Sequence, residues 1–416
     1  MSVAVEAQSS FPPIPAVFLA ERTSQIPRPK AVSLKEYIAR TGSVPSIPLA
    51  SVLHDEYAKQ RDLEKEKGIY VPGELLPVDF DQPSLRQLFI DRGRKNIYHD
   101  RINTDGEIVM DTPIDWYNPT QPFNDQGDRV MAVRFEPRDS ELSLVGFIKE
   151  DPRTGKYRFD HTRPIIDMAQ DPSVTFDNKG NLILGVVKIH ANENGRVTRF
   201  KTAQFRGPDV RNMRVFQTLR GKDNRPIQLD DRVRGYYRPQ GEVGGSGKLA
   251  LRDYSDWEEY RKDVRTLTAA DLLRTNFQDT NHGGPNYPLS DGQVFGHIAE
   301  IGRDKNGDIA KLDYYDTWML NDLATGQFVY KEDPKTGILA PVIKVIGDRL
   351  DYPAEIPDKD PANPQKRRNV SFTGGVIHLP DGKIMKINGA CDTRIVTRIS
   401  NDPMLDIDFS SLRVLV

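Results

Sequence analysis

The chain has 416 residues, 58 Lys and Arg against 60 Asp and Glu, and a single cysteine. One cysteine excludes a disulfide framework and a cysteine-based zinc site. A formal net charge of −2 gives no overall attraction to nucleic acid or to an anionic membrane. No apolar run reaches the length of about 18 residues that a membrane span needs. We therefore expect neither a nucleic-acid partner nor membrane association.

The N-terminal part, residues 1–76, is predicted to be an arm outside the main domain. Its first 45 or so residues are rich in Pro and Ser, which is typical of poorly ordered segments. A helix is predicted near Ser51–Lys67, because apolar residues such as Leu53 and Tyr57 recur about one turn apart and Gly68 follows. We expect one helix that packs on the body, with homo-oligomerisation through the arm as the alternative. The start lacks the basic residues and longer apolar core of a secretory signal, so we expect a cytoplasmic protein.

From Pro77 onward the sequence pattern predicts β-strands. Short segments rich in Val, Ile, Phe and Tyr alternate with turn residues, as half-buried strands require. Asn-Gly and Asp-Gly pairs between them favour tight hairpins. Residues 149–155 return almost unchanged at 331–337, which predicts the same hairpin tip twice. The predicted strands are Val130–Phe135, Leu142–Ile148, Ser173–Phe176, Leu182–Ile189, Val233–Tyr237, Phe295–Ile301, Leu312–Leu320, Val370–Leu379 and Val396–Ile399.

The spacing of these strands indicates the fold class. Blocks of about 40–60 residues, each with three or four strands, fill residues 110–410, and five such blocks fit a propeller whose sheets close radially. We therefore predict an all-β protein, a five-bladed β-propeller catalytic domain over residues 77–416, with an N-terminal extension containing a short helix. A pair of β-sandwiches is the alternative.

The sequence segments that resemble metal or cofactor motifs are incomplete. The glycine-rich run at 241–248 lacks the first glycine and the final Ser or Thr of a phosphate loop. In Asp304–Asp308 the glycine is at position four of a calcium loop instead of six. The seven histidines lack the spacing of a zinc protease. We predict no metal and no cofactor.

Polar residues are instead dense in a few separate segments, which a propeller could gather at one end of its channel. Carboxylates and amides bind sugar hydroxyls, and glycoside cleavage needs a carboxylic acid to protonate the leaving oxygen. Arginines bind phosphate bidentately. Turns and surface ion pairs are the alternative role for the same residues. The segments are 116–119 with 134–141, 170–174, 205–214, 236–241, 295–299 and 388–392.

These segments resemble a known family over roughly residues 110–400. Asn118-Pro119, Arg134–Glu141, Gln170-Asp171-Pro172, Gly207–Arg214 and Arg238–Gly245 are similar to glycosyltransferase family 108. These mannosyltransferases and phosphorylases were first catalogued as a domain of unknown function and are related to the β-mannoside phosphorylases of glycoside hydrolase family 130. The resemblance implies a five-bladed propeller with an axial site and inverting chemistry on β-1,2-linked mannosides. It also implies an oligosaccharide substrate used with phosphate, mannose 1-phosphate or GDP-mannose.

The resemblance assigns roles to residues. Asp171 matches the catalytic aspartate, so we expect a general acid whose pKa is raised by an apolar wall or a carboxylate. Asp392 is expected to bind mannose hydroxyls or to act as a second acid or base. Ser173, Ser246 and Cys391 replace the family's Arg, Arg and Ser, which leaves a hydrolase or a non-catalytic glycan-binding propeller as alternatives. The other predicted substrate-binding residues are Asn118, Arg134, Arg138, Asp139, Asp209, Arg211, Arg214, Arg238, Gln240 and His297, with His297 and the arginines as phosphate partners.

Overall fold

The computed structural model describes a mainly β chain, as predicted. It covers residues 27–45, 48–93, 112–138, 140–192, 197–238, 249–263, 273–274, 283–303, 305, 309–357 and 369–416. The predicted site residues Asp139 and Gln240, and the departure at Ser246, lie outside these ranges. Each predicted strand is found, and Val233–Tyr237 has the predicted bounds. No helix among the described residues is long and apolar enough to cross a membrane.

The N-terminal region holds more regular structure than the sequence predicts. Residues 30–41, expected to be poorly ordered, form a strand and a helix that begins at the cap Ser33 and ends at Gly42. The strand pairs in parallel with the C-terminal strand, Lys30 opposite Arg413, so these two strands stabilise each other. The expectation of one helix is therefore wrong. The elements are β1 (Lys30–Val32), α1 (Leu34–Thr41), α2 (Ala50–Glu66), β2 (Glu74–Leu75) and α3 (Gln82–Gly93).

Helix α3 lies where the sequence predicts β-structure. Asp81 accepts a hydrogen bond from the Ser84 backbone N–H at 3.0 Å, as a helix cap does. Leu85 and Phe89, one turn apart, are buried. Leu88 shares their face, but Ile90 lies off it and Arg92 lies on it, so the segment shows no one-sided helical period and the helix was not predicted.

Helix α2 packs on the body through buried charges, as the preferred interpretation predicts. Arg61 Nη1 donates to Asp348 Oδ1 at 2.7 Å, and His54 Nε2 lies 2.7 Å from Asp348 Oδ2. Tyr57 donates its hydroxyl hydrogen to Asp351 Oδ2 at 2.5 Å. Buried charges persist only when they are paired, so these contacts fix the helix in one place. Oligomerisation through the arm stays a prediction.

This anchor predicts a stability change. Asp348→Ala should lower the free energy of unfolding by about 3–5 kcal/mol, because it breaks a buried ion pair and leaves Arg61 without its closest partner. Asp62→Ala, at an exposed position of the same helix, is the matched control and should change stability by no more than about 0.5 kcal/mol. Urea denaturation of both variants measures the difference. Equal effects would contradict the anchoring role.

The next part of the chain forms three sheets. In the first, the order is β3-β5-β6-β7, with β4 also on β5 and β8 on β6. The second has the order β12-β11-β10-β9, and the third β13-β14-β15-β16. Apolar side chains of the first sheet, such as Val130 and Phe147, pack with Leu184 and Val186 of the second. The strands are β3 (Ile114–Tyr117), β4 (Phe123–Asp125), β5 (Asp128–Pro137), β6 (Leu144–Glu150), β7 (Tyr157–Phe159), β8 (Ile166–Asp167), β9 (Ala169–Phe176), β10 (Leu182–Ala191), β11 (Val197–Gly207), β12 (Arg214–Arg220), β13 (Arg225–Gln228), β14 (Val233–Tyr237), β15 (Ala250–Tyr254) and β16 (Leu273–Arg274), with α4 (Trp257–Asp263) after β15.

The last part forms an eight-stranded sheet, β17-β18-β19-β23-β24-β25-β2, with β22 also on β19. The terminal strands build a further sheet, β1-β26-β20-β21. Short 3-10 helices lie at Arg349–Asp351, Pro403–Asp406 and Phe409–Ser411. The strands are β17 (Gly283–Pro288), β18 (Gln293–Arg303), β19 (Ile309–Leu320), β20 (Val329–Glu332), β21 (Leu339–Pro341), β22 (Ile343–Gly347), β23 (Asn369–His378), β24 (Lys383–Ala390), β25 (Arg394–Asn401) and β26 (Leu412–Leu415).

The described residues do not form a closed propeller of five separate blades. Two expected blades are joined in the eight-stranded sheet because β19 and β23 pair in parallel, Asp313 opposite Asn369. The terminal sheet is an addition that the block count did not predict. The repeated hairpin tip is confirmed, since Gly155 and Gly337 have φ of 67° and 69° and donate to Asp151 and Asp333 at 2.8 Å.

Glycines allow the eight-stranded sheet to meet the chain that follows β3. A Cβ on Gly374 would lie 1.6 Å from the Pro119 carbonyl oxygen, and one on Gly389 would lie 2.1 Å from Asn118 Oδ1. Only glycine permits so close an approach of two backbones. The contact brings the ends of β3 and β24 together, and this is where the polar residues gather.

Candidate functional site

Asp171 is the centre of a buried polar cluster. It lies near the start of β9, and its side chain is 11 % exposed. Its Oδ1 accepts hydrogen bonds from Asn118 Nδ2 at 2.8 Å and from Arg134 Nη1 at 3.0 Å. These three residues come from two different sheets and the segment after β3. The structure therefore brings together three of the residues predicted from the sequence.

The backbone around this cluster is strained. Seven described residues other than glycine have positive φ, and four of them are Asn118 (46°), Asp171 (46°), Cys391 (55°) and Asp392 (56°). Such conformations cost free energy and gather at functional sites, where the surrounding structure holds them. The strain therefore indicates a functional role for the cluster. A single sequence carries no signal for it, because none of these residues is glycine.

Arg134 connects Asp171 to a second buried carboxylate. Its guanidinium donates two hydrogen bonds to Glu136 Oε2, one of them from Nε at 2.9 Å. Tyr117 donates to Glu136 Oε1 at 2.9 Å, and its ring lies 4.8 Å from the guanidinium carbon of Arg134. Glu136 is fully buried. The arginine is held between two carboxylates, so its position is fixed before any ligand arrives.

The electrostatics of Asp171 are opposite to the expectation. Burial alone would raise its pKa, but the positive charges of Arg134 and Lys222, together with the Asn118 hydrogen bond, outweigh burial and lower the pKa to about 2. The predicted apolar wall or raising carboxylate is therefore wrong for the free protein. Asp171 is therefore an ionised carboxylate at neutral pH.

A second group of cations lies on the other side of Asp171. The buried carboxylate of Asp223 contacts Arg238 Nη1 at 2.8 Å and Arg225 Nη2 at 3.5 Å. Arg225 Nη1 also donates to the Pro172 carbonyl at 3.0 Å. Sequence analysis predicted Arg238 but missed Lys222, Asp223 and Arg225. Their closeness in sequence, between the end of β12 and the first residue of β13, is the one available signal.

Two donors of this group have no hydrogen-bond partner among the described residues, namely Arg225 Nε and Arg238 Nε, and the same holds for the acceptor Asn118 Oδ1. Buried polar atoms are nearly always satisfied. Guanidinium nitrogens without a hydrogen-bond acceptor among the described residues, in a buried and cationic setting, suit an anion. The cluster therefore favours an anionic ligand.

Asp392 influences the cluster through its charge. Although burial lowers the pKa of Arg134, the charges of Glu136, Tyr117, Asp171 and, last, Asp392 raise it. His297 lies on β18, buried, with its ring 4.9 Å from that of Tyr314 and 6.1 Å from that of Phe372. A role in the site stays a prediction for both residues.

Arg138 is placed elsewhere, in a separate ion-pair cluster. Its Nε and Nη2 donate to the two carboxylate oxygens of Asp115 at 3.0 and 2.7 Å. Arg394 shares the same carboxylate at 2.7 Å and lies over the Trp116 ring at 4.1 Å. Arg138 therefore joins the segment after β5 to β3, and Arg394 joins β3 to β25.

Asp209, Arg211 and Arg214 are not part of the cluster. Asp171 is near the start of β9, whereas Gly207 pairs with Leu182, which pairs with Phe176 at the end of β9. The segment after Gly207 therefore lies at the opposite end of the sheet. Its residues bond there to surface groups: Arg211 to Gln126 and Thr162, Asp209 to Gln126 and Asn212, and Arg214 to the Met213 carbonyl. The sequence placed them in the site because strands are short and their ends look alike.

A cavity of about 220 Å³ adjoins the cluster. Arg225 lines it, as does Ser173, which stands where the resemblance expects an arginine. A larger cavity, about 600 Å³, is lined by residues 27–29 and the turns at 229–232, 290–291 and 320–324 and includes none of the residues around Asp171. Size therefore does not identify the site; the strained backbone and the buried charges do. Within the described ranges, no three His, Cys, Asp or Glu side chains are arranged to hold a metal ion.

Known proteins place this chain in a family. A family model described as "Protein of unknown function (DUF1861)" matches residues 94–405. The chain belongs to this family. No curated protein matches the sequence.

Solved structures share its fold. A mannose phosphorylase from Leishmania mexicana, solved with a phosphate ion, is 20% identical with a TM-score of 0.58, covering 86% of this chain and 96% of its own. A GDP-Man-dependent mannosyltransferase from the same organism is 21% identical with a TM-score of 0.54, covering 72% of this chain and 88% of its own. A hypothetical protein from Leishmania major is 18% identical with a TM-score of 0.55, covering 86% of this chain and 100% of its own. At these identities the similarity concerns the fold.

Proposed function

We propose that this DUF1861 protein is an inverting mannosyltransferase and β-mannoside phosphorylase that acts on β-1,2-linked mannosides. The observation that carries the proposal is the ionised, strained Asp171 set among buried cations. A carboxylate next to guanidinium groups with free donors suits a reaction that moves a proton and a phosphate together. The fold shared with the two Leishmania mexicana enzymes supports mannosyl transfer as that reaction.

In the synthetic direction, Asp171 accepts the proton of an acceptor hydroxyl, directly or through a hydroxyl of the substrate. The acceptor oxygen attacks the anomeric carbon of mannose 1-phosphate from the face opposite the phosphate. The carbon–oxygen bond to phosphate breaks, and phosphate leaves with the bonding pair toward the arginines. The product has inverted configuration. The reverse reaction, phosphorolysis, returns the proton from Asp171 to the interglycosidic oxygen.

The ionised state favours the synthetic role for the free enzyme. With a pKa of about 2, Asp171 needs no proton removed before it can act as a base. For phosphorolysis it must first gain a proton, which an arriving phosphate can bring into the site. GDP-mannose is the alternative donor, since a nucleoside diphosphate leaves through the same anion contacts.

The domain arrangement completes the proposal. We infer a propeller-type arrangement of sheets over residues 77–416, with residues 1–76 as an extension. It is supported by the succession of first strands: β9 lies against β13, β13 against β17, and β17 against β23, while β24 contacts β3. Asp171, Asn118 and Arg225 would then lie together at one end of the axis.

Product analysis tests the function. The pure protein, given mannose 1-phosphate and mannose, should release phosphate in equal amount to the β-mannoside formed; β-1,2-mannobiose with phosphate should return mannose 1-phosphate. Release of free mannose without any need for phosphate would replace the proposal by a hydrolase. Binding of sugar with no turnover from mannose 1-phosphate or GDP-mannose would replace it by a glycan-binding protein.

A further inference from the structure

Asp223 lies in a turn but is buried. It follows β12 with a left-handed backbone, φ 55°, and only 4 % of it is exposed. Asp tolerates this conformation less well than glycine does. The conformation aims one carboxylate oxygen at each of two buried guanidinium groups, at 2.8 Å for Arg238 and 3.5 Å for Arg225. A residue held in strain for two contacts indicates that the contacts matter.

Both guanidinium groups act on Asp171. The charge of Arg225 lowers the Asp171 pKa, and the charge of Asp171 in turn raises the pKa of Arg238. Asp223 is thus one step removed from the reacting centre. It contacts neither Asp171 nor Asn118 among the hydrogen bonds of the described residues, but it fixes and partly neutralises the cations that do influence Asp171.

The balance of charges around Asp171 shows why such a residue is needed. The charges of Arg134, Lys222 and Arg225 act on Asp171. Without Asp223, the cations Lys222, Arg225 and Arg238 would have no carboxylate of their own group. The charged and titratable neighbours are Tyr117, Arg134, Glu136, Lys222, Asp223, Arg225, Arg238 and Asp392.

We propose that Asp223 is a positioning residue that holds Arg225 and Arg238 at the anion side of the site and offsets their charge. It rests on the proposed function and deepens it. The Nε donors of both arginines are directed by the carboxylate that holds their other nitrogens, so the phosphate group of the substrate meets donors already in place. The same carboxylate limits how tightly phosphate is bound and how firmly Asp171 is held as an anion.

The test is Asp223→Asn, with inorganic phosphate as the probe. Removing one negative charge from an anion site should tighten phosphate binding by about threefold or more. The amide nitrogen cannot accept a hydrogen bond, so one of the two arginines loses its acceptor, and turnover should fall by about tenfold. Calorimetry measures the first effect and initial rates the second. A purely structural role would weaken both together.

Two further variants make the outcome decisive. Asp223→Gly removes the carboxylate at a backbone position that glycine adopts freely, so it should fold and behave like Asp223→Asn. Asp177→Asn breaks another buried Asp–Arg pair, with Arg206 at the far end of β9, and should leave phosphate binding and turnover unchanged.

The outcomes distinguish a failure of this inference from a failure of the proposed function. Tighter phosphate binding with slower turnover in both Asp223 variants supports the inference. Unchanged values, or parallel loss of binding, turnover and stability, overturn it while leaving the proposed function intact. A wild-type protein that neither binds phosphate nor transfers mannose overturns the proposed function itself, and this is seen before any variant is made.

Discussion

Asp171→Asn should lower turnover by about 10²–10⁴-fold, the size expected for a lost general acid or base. The amide keeps the shape of the side chain and can still contact Asn118 and Arg134, but it cannot accept the acceptor's proton. Initial rates of phosphate release from mannose 1-phosphate measure the loss. Turnover close to that of the wild type would remove Asp171 from the mechanism.

The matched control is Asp209→Asn. The sequence places Asp209 in the site, whereas the structure places it at the other end of the second sheet, bonded to Gln126 and Asn212. We expect nearly unchanged turnover. A loss as large as that of Asp171→Asn would mean that the register of β9, β10 and β11 does not describe the working site.

Asp171→Asn also has a pH-dependent effect on the stability of the fold. The pKa of Asp171 is lowered to about 2, below the usual value of about 3.9 in an unfolded chain. Its contribution is therefore fully present above about pH 4 and is lost as the pH falls toward 2. Asp171→Asn should be less stable than the wild type by about 2–3 kcal/mol at pH 7, and the gap should close across this range. Urea denaturation at several pH values checks it.

Arg134→Ala should be the most destabilising change in the site, lowering the free energy of unfolding by about 3–5 kcal/mol. It removes the guanidinium that donates two hydrogen bonds to the fully buried Glu136. It also removes the charge that most lowers the pKa of Asp171, so that pKa should rise. Denaturation measures the first effect, and the pH dependence of turnover follows the second.

Arg138→Ala is the matched control for stability. Arg138 also forms a bidentate pair with a buried carboxylate, but Asp115 keeps Arg394 at 2.7 Å when Arg138 is removed. The expected loss is about 1–2 kcal/mol. If the two arginine variants lost equal stability, the charge of Glu136 would not depend on Arg134 in the way the distances indicate.

Local patterns were sufficient for the strands. Alternating β-branched and aromatic residues and turn pairs act within a few positions, so Val233–Tyr237 and the repeated tip at 149–155 and 331–337 could be predicted from the chain alone. Helix α3 could not be predicted, because Ile90 and Arg92 interrupt the one-sided pattern of its short apolar face. The packing of Leu85 and Phe89 on the body selects it.

In the candidate site, too, some features follow from the sequence and others only from the tertiary structure. The sequence by itself identified Asp171, Asn118, Arg134 and Arg238 by motif and resemblance. Only the tertiary structure decided that Asp209, Arg211 and Arg214 lie at the far end of the sheet, since strand direction and register are set by pairing between distant segments. It also decided the charge state of Asp171, because a pKa depends on burial and on neighbours such as Lys222 and Arg225 that are remote in sequence. The nearly equal totals of 58 basic and 60 acidic residues therefore do not predict the local charge of this site, where several cations lie close to one carboxylate.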